Sequence, residues 1–332
     1  MNSFYLLPAS ILYWGVLSLR NLFYKLKIFK TYNLPCKIIS IGNISTGGTG
    51  KTPTVIYLAG LLKNLEMNVS IISRGYKRET KGFVIVSEGN GPICTLYECG
   101  DEPYMMSKKL KNIPIVVDEN RYRGCKYLVK KFNPDVIIMD DGFQHISLQR
   151  NIDIVLIDGS TNFNNYKLLP NGILREPWNG LKRADAIFIT KKKPESLLKR
   201  KLDSLSIPIF QTKIIPLVSN VQKKTINNSI IKEKVYLFSG IGNPNFFSNT
   251  VKHLGYKICG IKKFPDHYSY TNSDIIKIEK KAKDLNAKYL ITTEKDWFKL
   301  ETLTLTISII IIEIKLSVTN ENKLLELLEL KN

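Results

Sequence analysis

Acid is missing from the beginning of this chain. No aspartate or glutamate precedes Glu66, whereas Arg20, Lys25, Lys27, Lys30, Lys37, Lys51 and Lys63 all do. Histidine is scarce, with three in 332 residues. The five cysteines (Cys36, Cys94, Cys99, Cys125 and Cys259) form no C-x-x-C pair and have no histidine at ligand spacing. That favours free thiols in a reducing compartment over a disulfide framework or a zinc site. The charge-free run at residues 4–19, FYLLPASILYWGVLSL, is shorter than the ~20 apolar residues a span wants, and it carries Pro8. Its basic residues follow the run instead of preceding it, which excludes a cleaved signal peptide. No internal repeat stands out.

What is present is basic and otherwise ordinary. Hydrophobic content of 44% and charged content of 23% suit a folded protein, and 332 residues can bury two cores. A net charge of +20 suits an anionic partner: nucleic acid, an acidic membrane face or a phosphorylated substrate. Tyr5, Tyr13, Trp14, Phe23 and Tyr24, trailed by Lys and Arg, fit a helix over residues 1–30 lying in a membrane interface. A true span and a helix packed on the protein are the alternatives.

The stretch KIISIGNISTGGTGKTPTVIYLAGLL (37–62) organises the rest. An apolar β-branched run reads as a buried strand, a glycine-rich turn follows, and a helical pattern begins at Lys51. Strand, glycine loop, Lys-Thr and helix make a phosphate-binding loop. Its backbone N–H groups, across Thr46, Gly47, Gly48, Thr49 and Gly50, would turn toward an anion at the positive end of the helix. Lys51 would reach the outer phosphates and Thr52 a Mg²⁺ ion. Ser45 stands where the general pattern has glycine.

Strand patterns alternate with helical ones through Thr190, so the expected fold is α/β, a P-loop-like parallel sheet flanked by helices. Residues 31–213 form this domain. Residues 214–234 read as a polar connection, and a second, smaller α/β domain covers 235–332. Ligands gather at the carboxyl ends of such strands. There lie Arg74 and Tyr76, Asp118 to Arg121, and Asp140-Asp141-Gly142-Phe143-Gln144-His145.

Two carboxylates ending an apolar strand (VIIMDD) are where a phosphate-loop protein holds Mg²⁺, although a bare Asp pair is also a common turn or cap. Asp101 and Glu102 open a predicted helix. They suit a cap, or one can serve the metal and the other an incoming hydroxyl. His145 and His267 follow strand ends with acidic neighbours, while His253 lies within a predicted helix. Arg74, Arg121, Arg123 and Arg175 could together clamp a substrate phosphate. The Gly240-Ile241-Gly242 turn lacks the third glycine and downstream acid of a dinucleotide site.

GNISTGGTGKTP (42–53), SRGY (73–76), GDEP (100–103), DEN-R (118–121), MDDGFQH (139–145), LPNGILREP (169–177), FSGIGNP (238–244), FPDH (264–267) and TTEKD (292–296) occur in this order. In this set the chain resembles the tetraacyldisaccharide 4′-kinases of lipid A biosynthesis, over nearly its whole length. That family resembles GN-x-x-x-GGTGKTP, so Ser45 is no departure from it.

The resemblance implies transfer of the ATP γ-phosphoryl group to the 4′-hydroxyl of a tetraacyldisaccharide 1-phosphate. It implies Mg²⁺, and a monotopic protein on the cytoplasmic face of the inner membrane. By motif, Lys51 and Thr52 hold phosphates and metal. Asp101 resembles the catalytic base, with His267 its partner, and Glu102, Asp140 and Asp141 surround Mg²⁺. Arg74, Tyr76, Arg121, Gln144 and His145 line the acceptor side. Partners are then the lipid substrate and a membrane surface, with neither nucleic acid nor an obligatory protein partner. A membrane-attached nucleotide switch of the same fold is the alternative. GDEP and FPDH speak against it, since a switch needs no substrate base.

Overall fold

The computed structural model describes residues 3–220, 233–301 and 303–329. They fall into two compact units, Met1–Lys213 with Leu316–Asn332, and Ile214–Lys315.

The first unit begins with a short 3-10 turn and helix α1 (Leu7–Lys25). It continues through β1 (Lys37–Asn43), α2 (Lys51–Asn64), β2 (Val69–Ser73), β3 (Val84–Ser87), α3 (Leu96–Cys99), α4 (Asp101–Lys109), β4 (Ile115–Val117), α5 (Arg121–Phe132), β5 (Val136–Asp140), β6 (Ile152–Asp158), β7 (Ala186–Thr190), α6 (Ser196–Asp203) and β8 (Ile209–Asn220). The strands order as β8-β7-β6-β1-β5-β2-β4-β3. All neighbours pair in parallel except β3, which runs antiparallel to β4 at the edge. Strand β1 is central, between β5 and β6.

Period-two alternation sends side chains to both faces. Ile39 and Ile41 pack with Val55, Leu58 and Leu62 of α2 and Met106 of α4. Ile38 and Ile137 pack with Cys125 and Leu128 of α5 on the other face. Farther along, Val155, Ile157, Ile187 and Ile189 meet Leu198 and Leu202 of α6. Both faces are covered, so the strands read as continuous apolar runs.

The second unit holds β9 (Lys234–Ser239), α7 (Pro244–His253), β10 (Lys257–Lys263), α8 (Asn272–Asp284), β11 (Tyr289–Thr293), α9 (Glu294–Trp297) and β12 (Ile309–Val318). Its parallel order is β10-β9-β11-β12. Val235 and Leu237 face Phe247 and Val251 of α7, while Tyr236 and Phe238 face Ile275 and Ile278 of α8. Helix α10 (Glu321–Glu329) follows β12.

Two sequence expectations change here. Residues 214–220 are the second half of β8, not a polar connection; Lys213 and Pro216 disguise a strand whose residues alternate between more and less exposed positions. The rest of that expected connection, 221–232, lies outside the described residues. The terminal helix belongs to the first unit, because Leu324 and Leu328 of α10 enter the core built on β1 and α2.

Helix α1 buries only Ser10 and Leu17. Ser10 Oγ donates to the Leu168 carbonyl at 3.3 Å, and Tyr13 Oη donates to the Arg175 carbonyl at 2.7 Å. Ile11, Leu12, Trp14, Val16 and Leu19 stay exposed. Among the described residues no helix is long and apolar enough to cross a membrane.

Candidate active site

Strand β1 delivers the chain into the glycine loop at the carboxyl end of the first sheet. Gly50, at φ +91°, takes a left-handed conformation that a side chain rarely adopts, and α2 starts immediately after it. No side chain caps α2 among the described residues, so its first N–H groups are left for an anion. The hydroxyl of Thr49 is buried without a hydrogen-bond partner among the described residues. Both features suit a loop that closes on phosphate oxygens.

The loop is held from the far side of the sequence. Thr46 N–H donates to the Ile173 carbonyl and Arg175 N–H to the Ile44 carbonyl, each at 2.8 Å. This contact carries Arg175 onto Asp141, where its guanidinium makes two bonds at 3.0 and 3.1 Å. Lys51 Nζ lies 3.4 Å from the same carboxylate and 3.3 Å from Asn43 Oδ1, which Arg175 also contacts. Gln144 Nε2 donates to the Asn43 carbonyl at 2.8 Å and to Glu176 Oε1 at 2.6 Å, and Arg183 holds Glu176 at 2.7 Å. Burial pushes the Asp141 carboxyl up, but the Arg175 hydrogen bonds and the charges of Lys51 and Arg175 outweigh it and hold it at about 2.

Asp140 ends β5 in a different state. Ser73 Oγ donates to Asp140 Oδ2 at 2.8 Å, while Oδ1 is buried with no hydrogen-bond partner among the described residues. Burial, then the nearby Glu102 and Asp141 carboxylates, push it up to about 6. An orphaned carboxylate oxygen crowded by two more carboxylates is the environment a divalent cation relieves. No three His, Cys, Asp or Glu side chains form a complete metal cage among the described residues. Mg²⁺ fits such a partial set, since it is usually held by one or two carboxylates with phosphate oxygens and water completing the octahedron.

Asp101 and Glu102 are the first residues of α4, which packs beside α2. Asp101 is buried and Glu102 half-buried. On the side of β2 and β4, Arg121 is buried and donates to the Asp118 carbonyl at 2.5 Å and the Asp140 carbonyl at 3.3 Å. Burial, then the charges of Arg121, Arg150 and Arg74, lower His145 to about 4, so the imidazole is neutral at pH 7. Arg74 and Tyr76 are exposed at the end of β2.

The expected four-arginine clamp does not form. Arg123 is committed to Asp118 through bonds of 2.7 and 2.8 Å, and Arg175 to Asp141. Only Arg74 and Arg121 remain neighbours, beside His145. Asn43, Ser73, Glu176 and Arg183 went unnoticed as site residues. Asn43, Ser73 and Glu176 do sit inside motifs, GN-x-x-x-GGTGKTP, SRGY and LPNGILREP, which were the available signal.

In the second unit, FSGIGNP, FPDH and TTEKD meet at the carboxyl end of β9 and β11. His267, at φ +66°, donates its N–H to the Gly240 carbonyl at 3.2 Å. Lys295 Nζ stands 3.3 Å from His267 Nε2 and 3.3 Å from Asp266 Oδ1. Buried Asp296 accepts from Gly240 N–H at 3.0 Å and from the Thr293 hydroxyl at 2.7 Å, and burial raises its carboxyl. His253 ends α7.

Known proteins match this chain over its length. The tetraacyldisaccharide-1-P 4′-kinase family, LpxK, matches residues 2–331. The tetraacyldisaccharide 4′-kinase of Desulfotalea psychrophila is 39% identical over 306 residues, covering 89% of this chain and 87% of that protein. That of Aquifex aeolicus is 37% identical over 324 residues, 97% of each chain. A crystal structure of Aquifex aeolicus LpxK in complex with ATP superposes with a TM-score of 0.81 at 34% identity, covering 100% of this chain and 99% of that one. A glycine loop joined to Asp141, in a sheet of this topology and at this level of identity, leaves one assignment: the chain belongs to the tetraacyldisaccharide 4′-kinase family.

Proposed function

We propose that this protein is a lipid kinase that transfers the γ-phosphoryl group of ATP to the 4′-hydroxyl of tetraacyldisaccharide 1-phosphate. The observation that carries it is the convergence of Lys51, Asp140, Asp141 and Glu102 beside an uncapped α2 N-terminus. Family membership supplies the acceptor.

In this reaction the glycine loop, Thr46 to Gly50, cradles the phosphates and Lys51 neutralises the outer ones. Thr52, Glu102, Asp140 and Asp141 would hold Mg²⁺, which supplies charge neutralisation of the phosphates when bound. Asp101 takes the proton of the 4′-hydroxyl. Arg74, Tyr76, Arg121, Gln144 and His145 form the acceptor side. Such chemistry asks the protein chiefly for alignment and charge, with little covalent participation.

The acceptor is a bilayer lipid, so the enzyme works at the membrane surface. The exposed apolar side of α1 and the early basic residues suit a monotopic seat on the cytoplasmic face of the inner membrane. Incubation with γ-labelled ATP and the lipid acceptor tests the proposal. Label on the lipid supports it; label released only as inorganic phosphate would favour a nucleotide switch.

A further inference from the structure

The inner side of α1 is tied to the nucleotide site by polar bonds. Ser10, Tyr13 and Leu17 recur at intervals of three and four residues, so they share one side of the helix. Ser10 and Leu17 are buried and Tyr13 is half-buried. Ser10 Oγ accepts from the Asn171 N–H at 3.2 Å while it donates to the Leu168 carbonyl. Tyr13 Oη donates to the Arg175 carbonyl at 2.7 Å. All three bonds land on one segment, residues 168–175.

That segment braces the glycine loop. It lends the Ile173 carbonyl to Thr46 N–H, and Arg175 sets its own N–H on the Ile44 carbonyl. The Arg175 guanidinium holds Asp141 and contacts Asn43 Oδ1. Asn43 in turn donates to the Ser45 carbonyl at 2.7 Å and accepts from Lys51 at 3.3 Å. One residue, Arg175, therefore touches α1 through its carbonyl, the glycine loop through its N–H and Asp141 through its side chain. A displacement of Tyr13 reaches Lys51 through that single residue.

The other sides of α1 expose Ile11, Leu12, Trp14, Val16 and Leu19. With only Ser10 and Leu17 buried, the helix is held by little apolar contact, and such elements open locally at low cost. A bilayer takes the exposed side chains and leaves Ser10, Tyr13 and Leu17 to the protein, so the two contacts do not compete. Acidic lipid matches the charge, since Arg20, Lys25, Lys27 and Lys30 fall in or just after α1 and no acidic residue precedes Glu66.

We propose that Tyr13, supported by Ser10, is a positioning residue that couples seating of α1 on an acidic bilayer to nucleotide binding. The seated helix holds residues 168–175 in place, so ATP binds to a loop that is already braced and pays less to order it. Coupling between two binding events is reciprocal, so ATP tightens the hold on the bilayer by the same factor. The inference rests on the glycine loop as the ATP site and on α1 as the membrane seat.

The test titrates the full-length protein with the β,γ-imido analogue of ATP and Mg²⁺ by calorimetry, with and without vesicles of equal parts phosphatidylglycerol and phosphatidylcholine. Wild type should bind the analogue about fivefold or more tightly on vesicles, and saturating analogue should raise vesicle sedimentation by the same factor. Tyr13→Phe removes one hydroxyl. It should melt and sediment as wild type does in the absence of nucleotide, yet lose most of the coupling in both directions. Repulsion of the analogue by the acidic surface acts on both proteins alike. Equal affinity of wild type on and off vesicles, or full coupling in Tyr13→Phe, would overturn this inference alone. Failure of wild type to bind the analogue at all, or to sediment with the vesicles, would overturn the proposed function together with it.

Discussion

The ammonium of Lys51 lies 3.4 Å from a carboxylate oxygen of Asp141, joining the first residue of α2 to the residue that follows β5. Arg175 grips the same carboxylate from the LPNGILREP segment. Two cations thus face one anion that stays ionised at any physiological pH. The surplus positive charge on this carboxylate suits a polyphosphate.

Lys51→Ala should reduce phosphoryl transfer by about 10²–10³-fold or more, the scale of losing one group aimed at developing charge. The fold should survive, because Arg175 still holds Asp141. Steady-state turnover and a circular-dichroism melt of the same preparation check both halves.

Asp140→Asn should separate stability from activity. The wild-type carboxyl is raised from 3.8 to about 6 by burial, Glu102 and Asp141. The folded chain therefore binds this proton more tightly than the unfolded chain. Its contribution to stability is present below about pH 4, is lost as pH rises toward 6, and stays lost above. The difference is about 3 kcal/mol, at ~1.4 kcal/mol per tenfold step. The metal-free variant should melt higher than wild type at pH 7.5 and equal to it near pH 4, while Mg²⁺-dependent transfer disappears. Differential scanning calorimetry at the two pH values reads the sign directly.

Arg175→Met should weaken the ATP complex and cost roughly 1–3 kcal/mol of stability, because a half-buried carboxylate loses its bidentate partner. The Asp141 carboxyl should rise from about 2 toward its ordinary value. A higher KM for ATP with a smaller change in kcat, and a loss of stability that is full above about pH 4 and fades as pH falls toward 2, are the expected signs.

Much of this site is legible in sequence because its parts are local. GGTGKTP and MDDGFQH each place a strand, a turn and their polar groups within a few consecutive residues. Contacts that join distant segments leave no such trace. Arg175 reaches Asp141 only because an antiparallel bridge pairs Ser45 with Leu174. Arg123 reads like a phosphate ligand, yet it faces Asp118 on its own turn of chain. The core role of Leu324 and Leu328 is equally hidden, since it depends on β12 leading back to the first unit.

The apolar side of α1 makes a separate prediction. Trp14→Glu and Leu12→Asp alter side chains that are 51% and 71% exposed, so the folded protein should tolerate both. Each removes an apolar group worth about 1.5–3 kcal/mol when buried. Sedimentation with acidic vesicles should fall about tenfold or more per substitution, and deletion of residues 1–30 should abolish it. Unchanged sedimentation of the deletion would place the anchor elsewhere.

Asp101 is the group through which the whole proposal passes from nucleotide binding to chemistry. The decisive measurement is ³¹P NMR of the lipid product after reaction with ATP, for wild type and Asp101→Ala, alongside ATP affinity for each. A new phosphomonoester at the 4′ position for wild type, lost in Asp101→Ala while ATP still binds, is the expected result. Near-normal 4′ phosphorylation by Asp101→Ala would contradict the assignment of the base and the site built around it.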